Sequence, residues 1–319
     1  MGTKIFNRLN YSLLPTPLHK LENLSKYLNA NIYCKRDDLT GFAFGGNKTR
    51  KLDYLIYEAI ELGADTIVAV GAYQSNFCRI ASAYGAACGL DVRLVLGGKK
   101  PEKATANLML DYLFGADVVD VDSYEWNDWE ERARLLTRGL TAEGKKVYSM
   151  PIGGSTKTGS LGYVDCMKEI TDYSDTSGID FNNIFHATGS AGTQSGLVVG
   201  KSLTGWEGSI NGIAITKNSE QIKGEVIALA EETCKLLDIK INDADIIVDD
   251  NYIGEAYGTE TEGAREAISL FAKYEGILLD NVYSGKAAAG MLDYIRKGLI
   301  KSSDKVLFIH TGGNIQLFK

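Results

Sequence analysis

The segment Gly45-Gly46-Asn47-Lys48 opens a stretch of helical periodicity whose first turn carries three cations, Lys48, Arg50 and Lys51. A helix N-terminus is the positive end of the backbone dipole, so each cation there costs roughly 0.3 to 1 kcal/mol. On a helical wheel, Leu52, Leu55, Ile56, Ala59 and Ile60 form one apolar stripe. Lys48 lies about 40° from its centre, Lys51 about 100° and Arg50 about 160°. Lys48 is therefore the lysine expected to face the interior. Asn47 is the expected N-cap, and Gly45 and Gly46 allow close backbone approach to a ligand. Burial, the two neighbouring cations and the helix dipole all favour a neutral amine at Lys48, the form that attacks a carbonyl to give a Schiff base. The competing reading is a solvated basic cluster whose aliphatic stems cover apolar surface.

Two further loops have polar groups at strand-to-helix junctions, where open α/β sheets bind ligands. In Gly71-Ala72-Tyr73-Gln74-Ser75-Asn76, Ser75 and Asn76 offer a hydroxyl and an amide suited to a carboxylate or a ring hydroxyl. A plain N-cap pair is the alternative. In Thr188-Gly189-Ser190-Ala191-Gly192-Thr193, backbone N–H groups from Gly189 to Thr193 can form an anion nest, with Ser190 and Thr193 adding hydroxyls; a simple tight turn is the alternative. The Gly200-Lys201-Ser202 that follows invites a nucleotide-binding P-loop, but Ser195 stands where that pattern requires glycine. A reactive lysine, an amide-bearing loop and a phosphate nest without a P-loop lysine together describe a pyridoxal phosphate (PLP) site.

The elements that must position these groups alternate along the chain. Residues 66–71, 92–96, 116–121, 146–150, 183–188, 210–215, 245–249 and 305–310 read as strands; 76–88, 103–114, 127–143, 193–204, 217–236 and 260–274 read as helices. That pattern is α/β, in open, doubly wound, mostly parallel sheets. The glycine-rich run 151–164 is the best internal junction. At 319 residues the chain has room for two domains. A net charge of −7 argues against nucleic acid or an anionic membrane as partner. No apolar run long enough to span a bilayer and no signal-like N-terminus is present, so the cytosol is the expected compartment. The five cysteines and three histidines lack ligand spacing, so no metal is expected.

The segments KRDDLTGFAFGGNKTRKL, GAYQSN, TGSAGTQSG, EAYG, ILLDNVYSGKAAAG and LFIHTGGN resemble the D-cysteine desulfhydrase and 1-aminocyclopropane-1-carboxylate (ACC) deaminase family, PLP enzymes of fold type II related to the tryptophan synthase β subunit. The resemblance runs from about residue 12 to the C-terminus. It implies that Lys48 carries the cofactor and that the loop of Gly189, Ser190, Ala191, Gly192 and Thr193 binds its phosphate. It implies that Asn76 meets the ring hydroxyl, and that Gln74, Ser75, Asn76, Tyr257 and Tyr283 face the substrate, Tyr283 also touching the cofactor. It further implies a larger PLP domain of residues 1–53 and 161–319, a smaller one of 54–160 that closes on the substrate, and a homodimer.

Two positions separate the family's activities. ACC deaminases resemble one another in a glutamate just after the motif tyrosine and a leucine before the last Gly-Gly. Here these are Ser284 and Thr311, as in D-cysteine desulfhydrases and L-cysteate sulfo-lyases. A carboxylate at the pyridine nitrogen keeps it protonated and strengthens the electron sink; a hydroxyl leaves a weaker sink, sufficient for β-elimination of a good leaving group. D-cysteine, the broader activity that the resemblance implies for this hydroxyl-bearing group, is the first expectation, with Lys48 as base and Tyr283, and after it Tyr257, orienting or protonating the leaving group. L-cysteate is the alternative, raised by Lys157 in a loop expected near substrate, and ACC is a more distant one. A nucleotide-binding protein or a non-catalytic PLP carrier is the reading from another class. Asn281 in place of the usual proline, and Phe77 with Cys78 after the Ser-Asn pair, depart from the family pattern.

Overall fold

Parallel strands return to their own sheet only through a crossover, and right-handed helical crossovers cover both faces. The computed structural model describes residues 6–241 and 246–319, and in it two such sheets form. The larger has the order β1 (Leu18–Lys20), β2 (Asn31–Lys35), β10 (Lys305–Ile309), β7 (Asn183–Thr188), β8 (Ser209–Ala214), β9 (Ile246–Asp249). Its pairings are parallel except that of β1 with β2. The smaller, wholly parallel, has the order β5 (Asp117–Val121), β4 (Asp91–Gly97), β3 (Thr66–Ala72), β6 (Val147–Met150).

Because side chains alternate along a strand, each sheet buries two sets of apolar residues. In the smaller sheet Ile67, Ala69, Leu94 and Leu96 pack with Phe77, Ile80 and Tyr84 of α3 (Asn76–Cys88). Val68, Val70 and Val95 point the other way, onto Trp129 and Ala133 of α5 (Trp126–Ala142). In the larger sheet Ile32, Phe185, Ile213 and Phe308 meet α9 (Glu262–Glu275) and α10 (Ser284–Arg296). Tyr33, Ile184, Ile210 and Leu307 meet α6 (Lys157–Ser177) and α7 (Gly192–Thr204). Both sheets are doubly wound, as the alternation of elements predicts.

The run 151–164 lies where the chain leaves the smaller sheet after β6 and enters α6, which packs on the larger sheet, but it is not a loose linker. Most of it is the start of α6, a helix of 21 residues, and its glycines serve close packing. A β-carbon on Gly162 would stand 2.6 Å from the backbone oxygen of Arg50, and one on Gly196 would strike the Ser160 carbonyl, so α6 lies hard against both α2 (Asn47–Glu61) and α7. The expected domain limits at 53/54 and 160/161 fall inside the continuous helices α2 and α6. Strands β1 and β2 and helices α1 (Glu22–Leu28), α6 and α10 add to the elements read from the sequence. The predicted strand 245–249 is present from Ile246; Asp245 lies outside the described residues.

Helix α2 corrects the helical-wheel reading. It has no solvent face in its first two turns: Arg50 and Lys51 are 1% and 0% exposed, while Ile60 of the supposed buried stripe is 41% exposed. α2 is enclosed by α6 on one side and α3 on the other, so a single-stripe wheel does not apply to it. Arg50 is balanced by Asp37 (Nε to Oδ2 and Nη2 to Oδ1, both 2.8 Å) and by Glu169 (Nη1 to Oε1, 2.8 Å).

Candidate active site

The C-terminal ends of β3 and β7 and the start of α2 converge on one cavity. It is lined by Asn47, Lys48, Ser75, Asn76, Phe77, Gly189, Ser190, Ala191, Thr193, Tyr257, Tyr283 and Thr311, with Trp126, Trp129 and Gly153 among the others. Of the residues expected at the site, the structure brings all but Gln74 and Gly192 to its wall.

At Lys48, burial pushes the amine down to about 8, against which a hydrogen bond with Lys51 and the nearby Cys78 pull upward. The neutral amine is thus favoured by burial, and not by the neighbouring cations. Arg50 has its own counterions, and Lys51 acts in the opposite sense. The Lys51 amine is itself held well below the ordinary lysine range, by burial first and then by Lys48. Lys48 and Lys51 both donate to the carbonyl of Gly153, at 3.3 and 3.2 Å. Gly153 has φ +70°, and a β-carbon there would run into Ser190 Oγ, so only glycine presents this carbonyl. Lys51 is a polar residue of the site that the wheel passed over. Its spacing of three from Lys48 was the available signal, since i and i+3 share a helix face.

The nest at α7 is sharply bent. Ala191 has φ +64° and ψ −41°, and Gly192 N donates to Ser190 O at 2.7 Å, a three-residue turn that side-chain-bearing residues rarely adopt. Gly192 sits behind the wall, where its Cα approaches Lys51: a β-carbon would be 2.6 Å from Lys51 Nζ. Asn47 does not cap α2; Gly46 does, with φ +110°, and Asn47 Nδ2 instead donates to Thr193 Oγ1 at 3.0 Å. The lysine helix and the nest are thereby tied together. Ser155 Oγ adds a hydrogen bond to Ser190 Oγ at 2.9 Å.

Ser75 is the N-cap of α3, accepting from Cys78 N at 3.2 Å, and lies on the cavity wall. Gln74 is turned away: its Oε1 accepts from Asn107 N (3.0 Å) and its Nε2 donates to Thr105 O (3.2 Å), so the expectation that it faces substrate gives way to a strut. The hydroxyls of Tyr257 and Tyr283 hydrogen-bond each other, and burial raises both above the usual phenol range.

Ser284 and Thr311 part company. Thr311 lines the cavity and accepts Asn47 N on its carbonyl at 2.9 Å. Ser284 is 0% exposed and donates its hydroxyl to Asp280 Oδ1 at 2.6 Å while accepting Asp280 N at 2.9 Å. Its hydroxyl is consumed at the start of α10, and Asp280 is anchored further by the N–H groups of Val282, Tyr283 and Ser284, each at 2.8 Å. Lys157 is exposed at the first residue of α6 and does not line the cavity. Trp126 and Trp129, absent from the sequence reading, form the wall contributed by α5; Trp126 meets Tyr257 edge-on at 6.4 Å. Among the described residues no cluster of His, Cys, Asp and Glu could hold a metal ion, and no helix is long and apolar enough to cross a membrane.

Comparison with known proteins agrees with this chemistry. A family model described as pyridoxal-phosphate dependent enzyme matches residues 9–312. The D-cysteine desulfhydrase of Yersinia enterocolitica is 40% identical over 319 residues, covering 98% of this chain and 96% of its own. A putative ACC deaminase of Pyrococcus furiosus is 39% identical over 308 residues, covering 97% and 92%. The crystal structure of an ACC deaminase homologue superposes with a TM-score of 0.92 at 37% identity, over 98% of this chain and 94% of that one. A fungal L-serine ammonia-lyase from Rhizomucor miehei shares the fold, with a TM-score of 0.71 at 16% identity and coverage of 96% and 95%. A buried amine of lowered basicity beside an anion nest is what such enzymes require, and the chain belongs to the pyridoxal-phosphate dependent enzymes.

Proposed function

We propose that this enzyme carries out β-elimination on a small amino acid, D-cysteine before others, giving pyruvate, ammonia and sulfide with uptake of one water. The observation that carries the reading is the cavity wall: among the described residues no Asp or Glu lines it, while Thr311 does. Without a carboxylate to hold the pyridine nitrogen protonated, the site suits loss of a good leaving group better than the opening of a cyclopropane ring. L-cysteate falls behind, because Lys157 faces solvent and not the cavity.

The cavity fits the cofactor in size of charge and in donor set: a nest with a strained Ala191, a threonine hydroxyl, and an amine at about 8. PLP bound there supplies an electron sink that acidifies the substrate Cα–H. Lys48 would hold the cofactor, and its amine, neutral above about 8, is the base placed to take the Cα proton. The N–H groups from Gly189 to Thr193 would hold its phosphate, Thr311 would meet the ring nitrogen and Asn76 the ring hydroxyl. Ser75 and Asn76 fix the substrate carboxylate so that the breaking bond stays aligned. Tyr283, with Tyr257 on its hydroxyl, orients the departing sulfur and can give it a proton.

Residues 1–53 and 161–319 are the body and 54–160 the part that closes on substrate, in a cytosolic enzyme. A homodimer is part of the same proposal, and the exposed apolar side chains Leu13, Leu39, Phe44, Leu317 and Phe318 are candidates for its interface. The test of the activity is a panel of D-cysteine, L-cysteine, L-cysteate, β-chloro-D-alanine, D-serine and ACC scored for pyruvate and 2-oxobutyrate. Pyruvate with sulfide from D-cysteine is expected. Dominant 2-oxobutyrate from ACC overturns the reading.

A further inference from the structure

Behind the cavity wall lies a buried polar cluster that the chemistry above does not use. Arg79, one turn into α3, is 1% exposed, yet its donors go to neutral oxygens: Nη1 to Asn76 Oδ1 (2.9 Å) and Asn107 Oδ1 (2.7 Å), and Nη2 to Gly45 O (2.9 Å). Its Nε has no partner among the described residues. The acid that acts on it is Asp111, whose carboxyl burial pushes up to about 7, so even that compensation is partial. Burying a guanidinium against amides is costly, and a hydrophobic residue of the same volume would pack there more cheaply.

What the arginine does is immobilise one amide. Asn76 Oδ1 accepts from both Arg79 Nη1 and Asn107 Nδ2 (3.1 Å), so its lone pairs are engaged and the amide cannot flip. The Nδ2 end is left for the cavity that Asn76 lines. Asn107, 0% exposed, is pinned in turn: its Nδ2 donates to Gln74 O (2.8 Å) and its backbone N to Gln74 Oε1 (3.0 Å). That placement requires Ala106 at φ +44°, a left-handed conformation costly for a residue with a β-carbon, just where α4 (Ala106–Leu113) begins. Strain, a buried charge and the whole of Gln74 are thus committed to holding Asn76.

We infer that Arg79 is a positioning residue for the cofactor's electronic state: through Asn76 Oδ1 it fixes and polarises the carboxamide, making Nδ2–H a stronger donor to the ring-hydroxyl oxygen and stabilising that oxygen as the anion. The inference rests on the proposed contact of Asn76 with the ring hydroxyl. A charge-assisted hydrogen bond at one end of an amide strengthens the donor at the other, and the effect is undiminished by water in a buried cluster.

The experiment is the visible spectrum of the substrate-free holoenzyme from pH 6 to 10, with PLP affinity, for Arg79→Met, Arg79→Lys, Asn107→Ala and Asn76→Ala. Arg79→Met is expected to raise the short-wavelength band of the ring-oxygen-protonated form at the expense of the long-wavelength band. It is also expected to weaken PLP binding by up to roughly tenfold, because the Asn76 donor to the ring oxygen loses its polarisation and its fixed orientation. Arg79→Lys restores part of the long-wavelength band, and Asn107→Ala shows a smaller shift of the same sign. A natively folded Arg79→Met with the unaltered spectrum overturns the inference; if that variant does not fold, an unaltered Asn107→Ala overturns it. Asn76→Ala separates the two levels. An unaltered spectrum there removes the Asn76 contact itself, whereas a shift in Asn76→Ala without one in Arg79→Met removes only the role of Arg79.

Discussion

Lys48 and Lys51, one turn apart on α2, bring their amines to the same acceptor, the carbonyl of Gly153, at 3.3 and 3.2 Å. Two lysines within reach of one oxygen cannot both be charged at modest cost, and Lys51 is the one held furthest below its ordinary range. The neutral amine is the form that captures an aldehyde. With Lys48 brought down to about 8, capture of PLP by the apo-enzyme should rise with pH through about 8 and level off above it. Because Lys51 raises the Lys48 value, Lys51→Met should move that midpoint lower, which stopped-flow absorbance with borohydride trapping at Lys48 would read. An upward move would contradict the assignment.

Arg50 stands between two acids, Asp37 and Glu169, and Asp37 is 0% exposed. Burial pushes Asp37 upward, but Arg50 and Lys35 outweigh it and keep the carboxyl below its ordinary value. That stability is present above the unfolded value near 4 and is lost as pH falls through the folded one. Arg50→Met should cost about 3 to 5 kcal/mol at pH 7, because it strands a buried carboxylate. The deficit should narrow as pH drops below about 4, where Asp37 can be neutralised. Urea titrations at both pH values measure this, and a deficit that stays constant would show the loss to be packing alone.

Gly162 lets α6 touch the backbone of α2, whereas Gly139 on α5 has open space around its Cα. Gly162→Ala should therefore destabilise by about 1 to 3 kcal/mol and weaken cofactor retention, since it pushes against the helix that bears Lys48. Gly139→Ala should be neutral or stabilising by up to about 1 kcal/mol. Thermal melts of the two variants side by side would distinguish close packing from mere helix propensity.

The hydroxyls of Ser284 and Thr311 should separate in the same way. Ser284→Ala breaks the exchange with Asp280 at the start of α10 and should cost about 1 kcal/mol of stability while leaving the holoenzyme spectrum unchanged. Thr311→Val should leave stability nearly intact and shift the spectrum. A spectral change in Ser284→Ala of the size seen for Thr311→Val would return Ser284 to the cofactor.

Much of the site was legible because its chemistry demands local patterns. A glycine-rich turn before Lys48 and another at Gly189 to Thr193 each announce a backbone that must approach a ligand, and both reach one cavity. What was not legible depended on partners distant in sequence. Arg50 and Lys51 read as solvent-facing because a helical wheel assumes one buried stripe, and α2 is enclosed. Gln74 sits in the right loop, yet its amide is claimed by Thr105 and Asn107, some thirty residues on. Ser284 occupies the discriminating position, but Asp280 takes its hydroxyl. The junction at 151–164 was legible, but not that its second half is helix, because glycines for helix contact and glycines for flexibility are spelled alike.

Helix α2 is gripped both by α3 of the four-stranded layer and by α6 of the six-stranded layer. If the smaller layer rocks against the larger, points near the pivot travel least. The amine of Lys48 would sit on that pivot, while Ser75, Asn76 and Trp126 would be carried on the moving arm. The tether would then be stationary and the substrate clamp mobile, so that opening would admit and discharge small molecules without straining the bond that retains the cofactor.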